Sequence, residues 1–415
     1  MYHVGEEEID AIAKVIRSRK LFRYTDASEC ARFEKRYAKF VGATHAQLTS
    51  SGTAALTAAL GAVGIGPGAE VIVPAHTYMA SAVSVLAVGA IPVIVDVDES
   101  VTLDPVALDA AVGPRTRAVV PVHMWGLPCD MDAILRVARR RGLIVVEDAC
   151  QAVGGGYRGR MLGSIGDAGA FSFNYFKNMT CGEGGAVVTS NDHVAEAARC
   201  MIDCCGFYWT GRAEAAGVHP FVVSGSRASE IEGAMLNVQL DRLPSTIRAL
   251  RRQKKQILKG TAGTGLAPNP QHSPDHECGT HVMYLLPTPA QADSFAAAAG
   301  GTVAGKTGRH NYTEWDAVLN RRAAHHDAFN PFRFAANRKC RRTYSKSMCA
   351  RSIDLLNRTV MIRTDPDRTA ADVKALIARI RAAAGETLGA ARTNGDGRPK
   401  PAVATARRTP APAAS

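Results

Sequence analysis

The sequence predicts an α/β protein with a large, doubly wound, mostly parallel sheet and a smaller C-terminal α/β domain. Between about residues 46 and 190, short β-branched apolar runs alternate with stretches of helical periodicity. "EVIVPA", "IPVIVDVD" and "LIVVEDA" are predicted strands, and "GTAALTAALGAVG" and "DMDAILRVARRRG" are predicted helices. This alternation is typical of parallel sheets covered by helices. Because ligands of such sheets bind beyond the carboxyl ends of strands, the residues that follow the strands are the first site candidates.

Three regions are expected along the chain. Residues 1–245 form the large domain, and residues 246–385 form the small one. The helical region before this boundary contains Pro244, which should kink or break it. Residues 386–415 are rich in Ala, Pro and Arg. Such a segment cannot bury enough apolar surface to fold, so we expect a disordered tail.

Composition narrows the function classes. The 415 residues are 46% hydrophobic, which is ordinary for a globular protein, and no apolar run is long enough to cross a membrane. The N-terminus lacks the layout of a signal peptide, so we expect a cytoplasmic protein. The net charge of +12 comes without a compact basic helix or an RNP-type pattern. This argues against nucleic acid and favours an anionic small substrate, with a merely solvated basic surface as the alternative.

Ten cysteines are present without a C-x-x-C pair, and none of their spacings matches a usual zinc site. We therefore expect reduced, mostly buried thiols and no metal.

Three polar or aromatic features follow predicted strands. Asp148 comes at the end of "LIVVED", where a carboxylate surrounded by apolar residues needs a cation such as a protonated pyridine nitrogen. "SSGT", which contains Gly52 and Thr53, opens a helix and offers amides and hydroxyls to an anion. Tyr78 follows "EVIVPA", where an aromatic ring can stack on a planar ligand. Each has an ordinary alternative: Asp148 and the serines as helix caps, and Tyr78 as core.

Lys177 is the sharpest candidate. It lies in "AFSFNYFKNM", near Phe171, Phe173, Tyr175 and Phe176, and desolvation there would make its amine a nucleophile toward carbonyls. The ordinary alternative is a surface lysine. An anion site, an aromatic ring, a strand-end carboxylate and a sheltered lysine occur together, however. Pyridoxal 5'-phosphate requires these four attachments.

"SSGTAALTAAL", "EVIVPAHTYMASA", "VEDACQAVGGGYRGRMLGSIGDAGAFSF" and "KNMTCGEGGAVVTSND" resemble the pyridoxal-phosphate sugar aminotransferases of the DegT family, which have fold type I. The resemblance implies that Lys177 forms the Schiff base and shuttles the proton, while Asp148 faces the pyridine nitrogen. It places Gln151 beside the ring hydroxyl and Tyr78 on the ring. The implied phosphate ligands are Gly52, Thr53 and Ser172, and Thr180 and Glu183 have supporting roles.

One segment departs from the family pattern. Where relatives carry an asparagine two residues before an arginine, "VVSGSRASE" has Gly225 before Arg227. In the family this asparagine reaches the phosphate in the neighbouring subunit, and Ser224 or Ser226 is an alternative here. The segment "GRHNYTEWDAVLNRRAAHHDAFNPF" is also distinctive, being rich in histidine and aromatic residues. It loosely resembles relatives that aminate eight-carbon acidic sugars.

The resemblance implies a homodimeric transaminase. It would move an amino group from glutamate or glutamine to a keto- or aldehyde-sugar, nucleotide-linked or not, in amino-sugar, antibiotic or surface-polysaccharide biosynthesis. Two alternatives remain. Sugar dehydratases of the family carry histidine at the position of Lys177, and a non-catalytic paralogue would bind the cofactor without turnover.

Overall fold

The computed structural model describes residues 3–25, 27–203, 212–221 and 223–393, with side chains up to residue 389. The strands are β1 (His45–Thr49), β2 (Glu70–Pro74), β3 (Ile91–Val95), β4 (Thr116–Val119), β5 (Ile144–Asp148), β6 (Gly156–Tyr157), β7 (Arg160–Met161), β8 (Ala168–Ser172), β9 (Gly185–Thr189), β10 (Ala267–Pro268), β11 (His281–Leu285), β12 (Thr302–Val303) and β13 (Thr359–Arg363).

The α-helices are α1 (Glu6–Ser18), α2 (Glu29–Val41), α3 (Gly52–Ala62), α4 (Ala80–Ala87), α5 (Pro105–Ala111), α6 (Met131–Arg141), α7 (Asp192–Ile202), α8 (Arg212–Ala215), α9 (Glu230–Gly260), α10 (Pro289–Ala299), α11 (Asp316–Leu319), α12 (Ala350–Arg358) and α13 (Ala370–Thr393). Short 3₁₀ turns connect several of them.

The large sheet has seven strands in the order β1-β9-β8-β5-β4-β2-β3. Neighbours from β3 to β8 are parallel, whereas β9 is antiparallel to both β8 and β1. Side chains alternate between the faces, as the pleat requires. Val71 and Val73 pack with α3, α4 and α7, whereas Ile72 packs with α2, α6 and α9. The predicted fold class is therefore confirmed.

A second sheet, β10-β11-β13-β12, is antiparallel throughout and has its own core. Val282 and Tyr284 of β11 and Val360 of β13 pack there against Phe295 of α10 and Ile380 of α13. This unit corresponds to the smaller C-terminal α/β domain.

Three features of the structure bear on the expected division of the chain. Helix α9 continues through Pro244 and across the 245/246 boundary, so this proline does not break the helix. The segment that carries Tyr312, Trp315 and Phe332 packs into the core of the large sheet, although it was expected in the small domain. Helix α13 extends to Thr393, past the expected start of the tail at residue 386. Residues 394–415 lie outside the described part of the chain.

Within the described ranges, no helix is both long and apolar enough to cross a bilayer. No group of His, Cys, Asp and Glu side chains there has the geometry of a metal site. All eight described cysteines are free thiols, and seven are buried, as predicted.

Candidate active site

A cavity of about 730 Å³ lies at the carboxyl ends of the parallel strands, partly covered by the second sheet and the loop after β12. It is lined by every residue predicted to bind the cofactor or to act in catalysis: Gly52, Thr53, Tyr78, Asp148, Gln151, Ser172 and Lys177. The structure thus brings together residues spread over more than a hundred positions of the sequence.

Asp148 ends β5 and is only 5% exposed. Its Oδ2 accepts a hydrogen bond from Ser81 Oγ at 2.7 Å, and its Oδ1 accepts one from the Cys150 amide at 3.1 Å. The residues after it form a turn, so Asp148 does not cap a helix. A buried carboxylate held by two donors, with its edge in the cavity, is suited to face a cationic group of a ligand.

The anion site lies at the start of α3. Ser51 is the N-cap, since its Oγ accepts a hydrogen bond from the Ala54 amide at 3.1 Å. The amides of Gly52 and Thr53 belong to the first turn, where amides have no acceptor within the helix. A Cβ at Gly52 would lie 2.7 Å from Ser172 Cβ, so the end of β8 packs directly against this turn. Hydroxyls and helix amides therefore converge, as a phosphate requires.

Lys177 lies in the turn after β8, and its amide donates to the Asn174 carbonyl oxygen at 2.9 Å. Its side chain is half-buried in the cavity. The predicted aromatic enclosure is wrong in detail. Phe171 and Phe173 point into the core, Tyr175 and Phe176 are exposed, and only Phe176 of the four lines the cavity. The reason is the alternation along β8: Ser172 lines the cavity, so Phe171 and Phe173 on either side of it point to the opposite face, into the core.

Cys150 is not a competing nucleophile. Burial and the neighbouring Asp148 carboxylate raise the pKa of its thiol well above the ordinary value, although the Lys177 ammonium opposes this shift. The thiol is therefore protonated and unreactive at neutral pH.

Tyr78 is 47% exposed, so it is not a core residue. It precedes α4, and its ring centroid lies 6.0 Å from that of His310. Gln151 follows Asp148 by three residues, and its Oε1 accepts a hydrogen bond from the Trp125 amide at 3.3 Å. Both residues border the cavity near Asp148.

The sequence reasoning missed Trp125, which lines the cavity after β4. Its backbone is left-handed (φ 55°, ψ 26°), a conformation that is rare for a bulky residue and costs free energy. Its indole N–H donates to His76 Nε2 at 3.3 Å. Its ring centroid lies 5.1 Å from His281 and 4.6 Å from His310. "VHMWG" follows a predicted strand, so the strand-end rule could have found Trp125.

The three imidazoles around Trp125 are uncharged at neutral pH. Burial lowers the pKa of His76 to about 4, against a hydrogen bond to the Val101 carbonyl that raises it. Burial and the Arg363 and Lys254 cations lower the pKa of His281 to about 3. Burial, with His76, Arg309 and Lys177, lowers the pKa of His310 to about 3. The wall around Trp125 is therefore aromatic and neutral.

The supporting residues are also in place. Glu183 lines the cavity and accepts a hydrogen bond from Asn174 Nδ2 at 2.9 Å, while Thr180 Oγ1 donates to the Phe173 carbonyl oxygen at 3.1 Å. Gly225 has open space around a Cβ built on it. The neighbouring Ser226 is hydrogen-bonded to its own chain, where its carbonyl oxygen accepts from the Ser50 amide at 2.8 Å.

The residues present fit pyridoxal phosphate. The packing of Ser172 on Gly52 forms a hydroxyl and amide site of the right chemistry for its phosphate. The buried carboxylate of Asp148 suits its ring nitrogen, and the half-buried amine of Lys177 suits its aldehyde.

Comparison with known proteins agrees with this geometry. The sequence profile of the DegT/DnrJ/EryC1/StrS aminotransferase family matches residues 3–381. The chain belongs to this family. The predicted resemblance is therefore confirmed over nearly the whole chain.

Curated relatives of this family member include the spore coat polysaccharide biosynthesis protein SpsC of Bacillus subtilis, which is 49% identical over 199 residues. That match covers 48% of this chain and 50% of SpsC. GDP-perosamine synthase of Caulobacter vibrioides is 45% identical over 53% of this chain and 58% of its own length. The matched region thus spans only 50% and 58% of the length of these two relatives. A dTDP-3-amino-3,4,6-trideoxy-alpha-D-glucose transaminase of Streptomyces venezuelae is 42% identical over 66% of this chain and 70% of its own length.

Solved structures of the family have the same fold. 3-Amino-5-hydroxybenzoic acid synthase superposes with a TM-score of 0.73 at 27% identity, covering 92% of this chain and 97% of its own. DesV of S. venezuelae, solved in complex with a ketimine intermediate, superposes with a TM-score of 0.70 at 32% identity. That match covers 91% of this chain and 94% of DesV.

Proposed function

We propose that the protein is a pyridoxal-phosphate-dependent aminotransferase that moves an amino group from glutamate or glutamine to a keto- or aldehyde-sugar. The observation that carries the proposal is the single cavity in which Lys177, Asp148, Gln151 and the Ser172–Gly52 anion site meet. The names of the relatives support a sugar as the acceptor, because several are sugar transaminases.

Each residue then has a defined task. Ser172 and the amides of Gly52 and Thr53 bind the phosphate, and Tyr78 contacts the cofactor ring. The carboxylate of Asp148, oriented by Ser81, keeps a proton on the ring nitrogen. When bound, the cofactor supplies an electron sink for the carbanion formed at the substrate carbon.

Lys177 Nζ moves the proton to and from the reacting carbon, because this half-buried amine lines the same cavity as Asp148. The other lysine that lines the cavity, Lys306, is bound to Asp293 at 2.6 and 2.8 Å. Gln151, fixed by the Trp125 amide, holds the side of the ring that carries the hydroxyl. A lysine at this position favours amination over dehydration.

A homodimer is part of the proposal. Ile9 and Ile16 of α1 and the neighbouring Leu21 are each 55% exposed. Exposed apolar residues this close together support a protein interface. Free thiols support a reducing compartment such as the cytoplasm.

Nitrogen transfer tests the function directly. The purified protein, loaded with the cofactor, is incubated with ¹⁵N-glutamate or amide- and amine-labelled ¹⁵N-glutamine and a panel of keto-sugars, free and nucleotide-linked. We expect ¹⁵N in one aminated sugar by mass spectrometry, and none with Lys177→Ala. Cofactor binding without transfer to any acceptor, and without release of a keto acid from either donor, would support the non-catalytic alternative.

A further inference from the structure

Arg309 is a cation at the mouth of the cavity that has no acidic partner in the described part of the chain. Two carboxylates line the cavity, and both are hydrogen-bonded: Asp148 to Ser81 and Glu183 to Asn174. Lys306 is paired with Asp293. Arg309 also lines the cavity, but in the part of the chain that the structure describes no carboxylate lies within ion-pairing distance of its guanidinium.

The backbone around Arg309 is held in place. The His310 carbonyl oxygen accepts from the Thr77 amide at 3.0 Å, and the Tyr312 amide donates to the Ala75 carbonyl oxygen at 3.0 Å. These bonds fasten the segment to the carboxyl end of β2. The His310 ring packs between Tyr78 and Trp125, which fixes the residue next to Arg309.

The guanidinium itself lies over an aromatic ring. Arg309 Cζ is 5.8 Å from the centroid of Phe176, the residue that precedes Lys177. This cation–π contact holds the group at the mouth without neutralising its charge. The pKa of His310 is lowered mainly by burial, and further by His76, Arg309 and Lys177. The two cations thus add a positive potential at the mouth of the cavity.

We propose that Arg309 binds an anionic group, a carboxylate or a phosphate, carried by the acceptor at a distance from its reacting carbon. This rests on the proposed function and restricts its substrate class to acidic or phosphorylated sugars. The cofactor phosphate has its own ligands at the start of α3. The exposed position of Arg309 beside exposed Phe176 favours a substituent that extends toward the mouth over a group of the small donor. Arginine suits the task because its N–H groups match both anions in geometry.

Paired probes test the subsite. Calorimetric titration of the holoenzyme compares D-glucuronate and glucose 1-phosphate with the neutral methyl α-D-glucopyranoside. We expect the better anionic probe to bind about tenfold more tightly than the neutral one, as a partly exposed charge-assisted contact allows. Arg309→Gln should reduce this ratio to about threefold or less, and Arg309→Lys should restore part of it.

Lys306→Gln is the matched control, because it removes one positive charge from the same cavity but from a lysine already paired with Asp293. It should keep the preference for the anionic probe. An unchanged preference in Arg309→Gln would overturn the proposal, and so would an equal loss in Lys306→Gln. A rise in the KM of glutamate with no change in the probes would assign Arg309 to the donor and also contradict it.

Binding is measured without turnover, so the two proposals can fail separately. If the anionic preference depends on Arg309 but no ¹⁵N is transferred, the subsite stands and the aminotransferase activity falls. If ¹⁵N is transferred and Arg309→Gln changes nothing, the aminotransferase activity stands and the anion subsite at Arg309 is wrong.

Discussion

Asp148 is the residue whose surroundings point most directly to a bound ligand. Its carboxylate is buried yet lacks a cationic partner within ion-pairing distance among the described residues, and it accepts hydrogen bonds from a hydroxyl and an amide. A buried carboxylate with only neutral donors is costly for folding alone. Its presence is explained by a cationic ligand group that it stabilises when that ligand is bound.

Replacing Asp148 by asparagine should therefore affect chemistry more than folding. The amide keeps the shape and can accept from Ser81, but it cannot balance a protonated ring nitrogen. We expect the kcat for ¹⁵N transfer to fall by about a hundredfold or more. Ser81→Ala, which only loosens the carboxylate, should cost about tenfold or less. Equal rates for Asp148→Asn and Ser81→Ala would contradict this role.

At the same scale, the strand ends of the sequence predicted Tyr78 and Asp148, whereas Gln151 and Ser172 came only from the family resemblance. The first two positions are readable because a parallel sheet gathers its strand ends at one edge. His310 and Arg309 could not be placed in this way. They reach the cavity through hydrogen bonds between chain segments more than two hundred residues apart, and no local pattern encodes that contact.

Helix α3 carries the anion site, and its first turn is set by close packing. Alanine at Gly52 would place its Cβ 2.7 Å from Ser172 Cβ and 3.0 Å from Cys150 Sγ. We expect Gly52→Ala to separate the turn from β8 and to weaken cofactor binding by about tenfold or more, measured by equilibrium titration.

Gly61→Ala is a control in the same helix. A Cβ there would meet the end of the Met201 side chain, which can move aside. Its affinity for the cofactor should match that of the wild type. Equal affinities for both variants would show that the anion site does not depend on the contact at Gly52.

The segment that carries His310 should make stability depend on pH. The folded-state pKa of the His310 imidazole, about 3, is below the ordinary value of 6.5. Between these two pH values the unfolded chain therefore binds a proton that the folded chain does not. The free energy of unfolding must then fall as the pH is lowered from 6.5. Between pH 6.5 and 5, the free energy of unfolding of His310→Asn should therefore fall less steeply than that of the wild type, by about 1 kcal/mol per pH unit.

Chemical denaturation at several pH values measures this difference. The pKa values of His76 and His281 are also lowered, but both residues are present in the wild type and in the variant, so the comparison isolates His310. Parallel pH profiles for wild type and variant would show that His310 is not buried in the neutral form.

The whole molecule shows which features of architecture the sequence encodes. The strands of the large sheet and helices α3, α4 and α6 were predictable, because short apolar strand runs and helical periodicity are local patterns. The domain boundaries were not, because they depend on packing. Pro244 predicts a kink or a break, yet α9 continues through it as one helix. Residues near Trp315 join the core of the large sheet.

The end of α13 gives a truncation test. Thr387 is 7% exposed, and Leu388 packs against the core of the second sheet and lies near Gly265. A chain ending at Gly385 should lose this contact, and its Tm should fall by about 2 °C or more. A chain ending at Thr393 should keep the wild-type Tm and the wild-type rate of transfer. If both truncations melt like the full chain, residues 386–393 contribute nothing to the fold.

The proposed chemistry depends above all on the amine of Lys177 holding the cofactor covalently. Borohydride reduction of the holoenzyme, followed by peptide mass spectrometry, locates that bond. We expect one stable phosphopyridoxyl adduct on the peptide that contains Lys177, and no adduct in Lys177→Ala. An adduct on another lysine, such as Lys306, or a protein that takes up no cofactor, would show that the site is wrongly assigned.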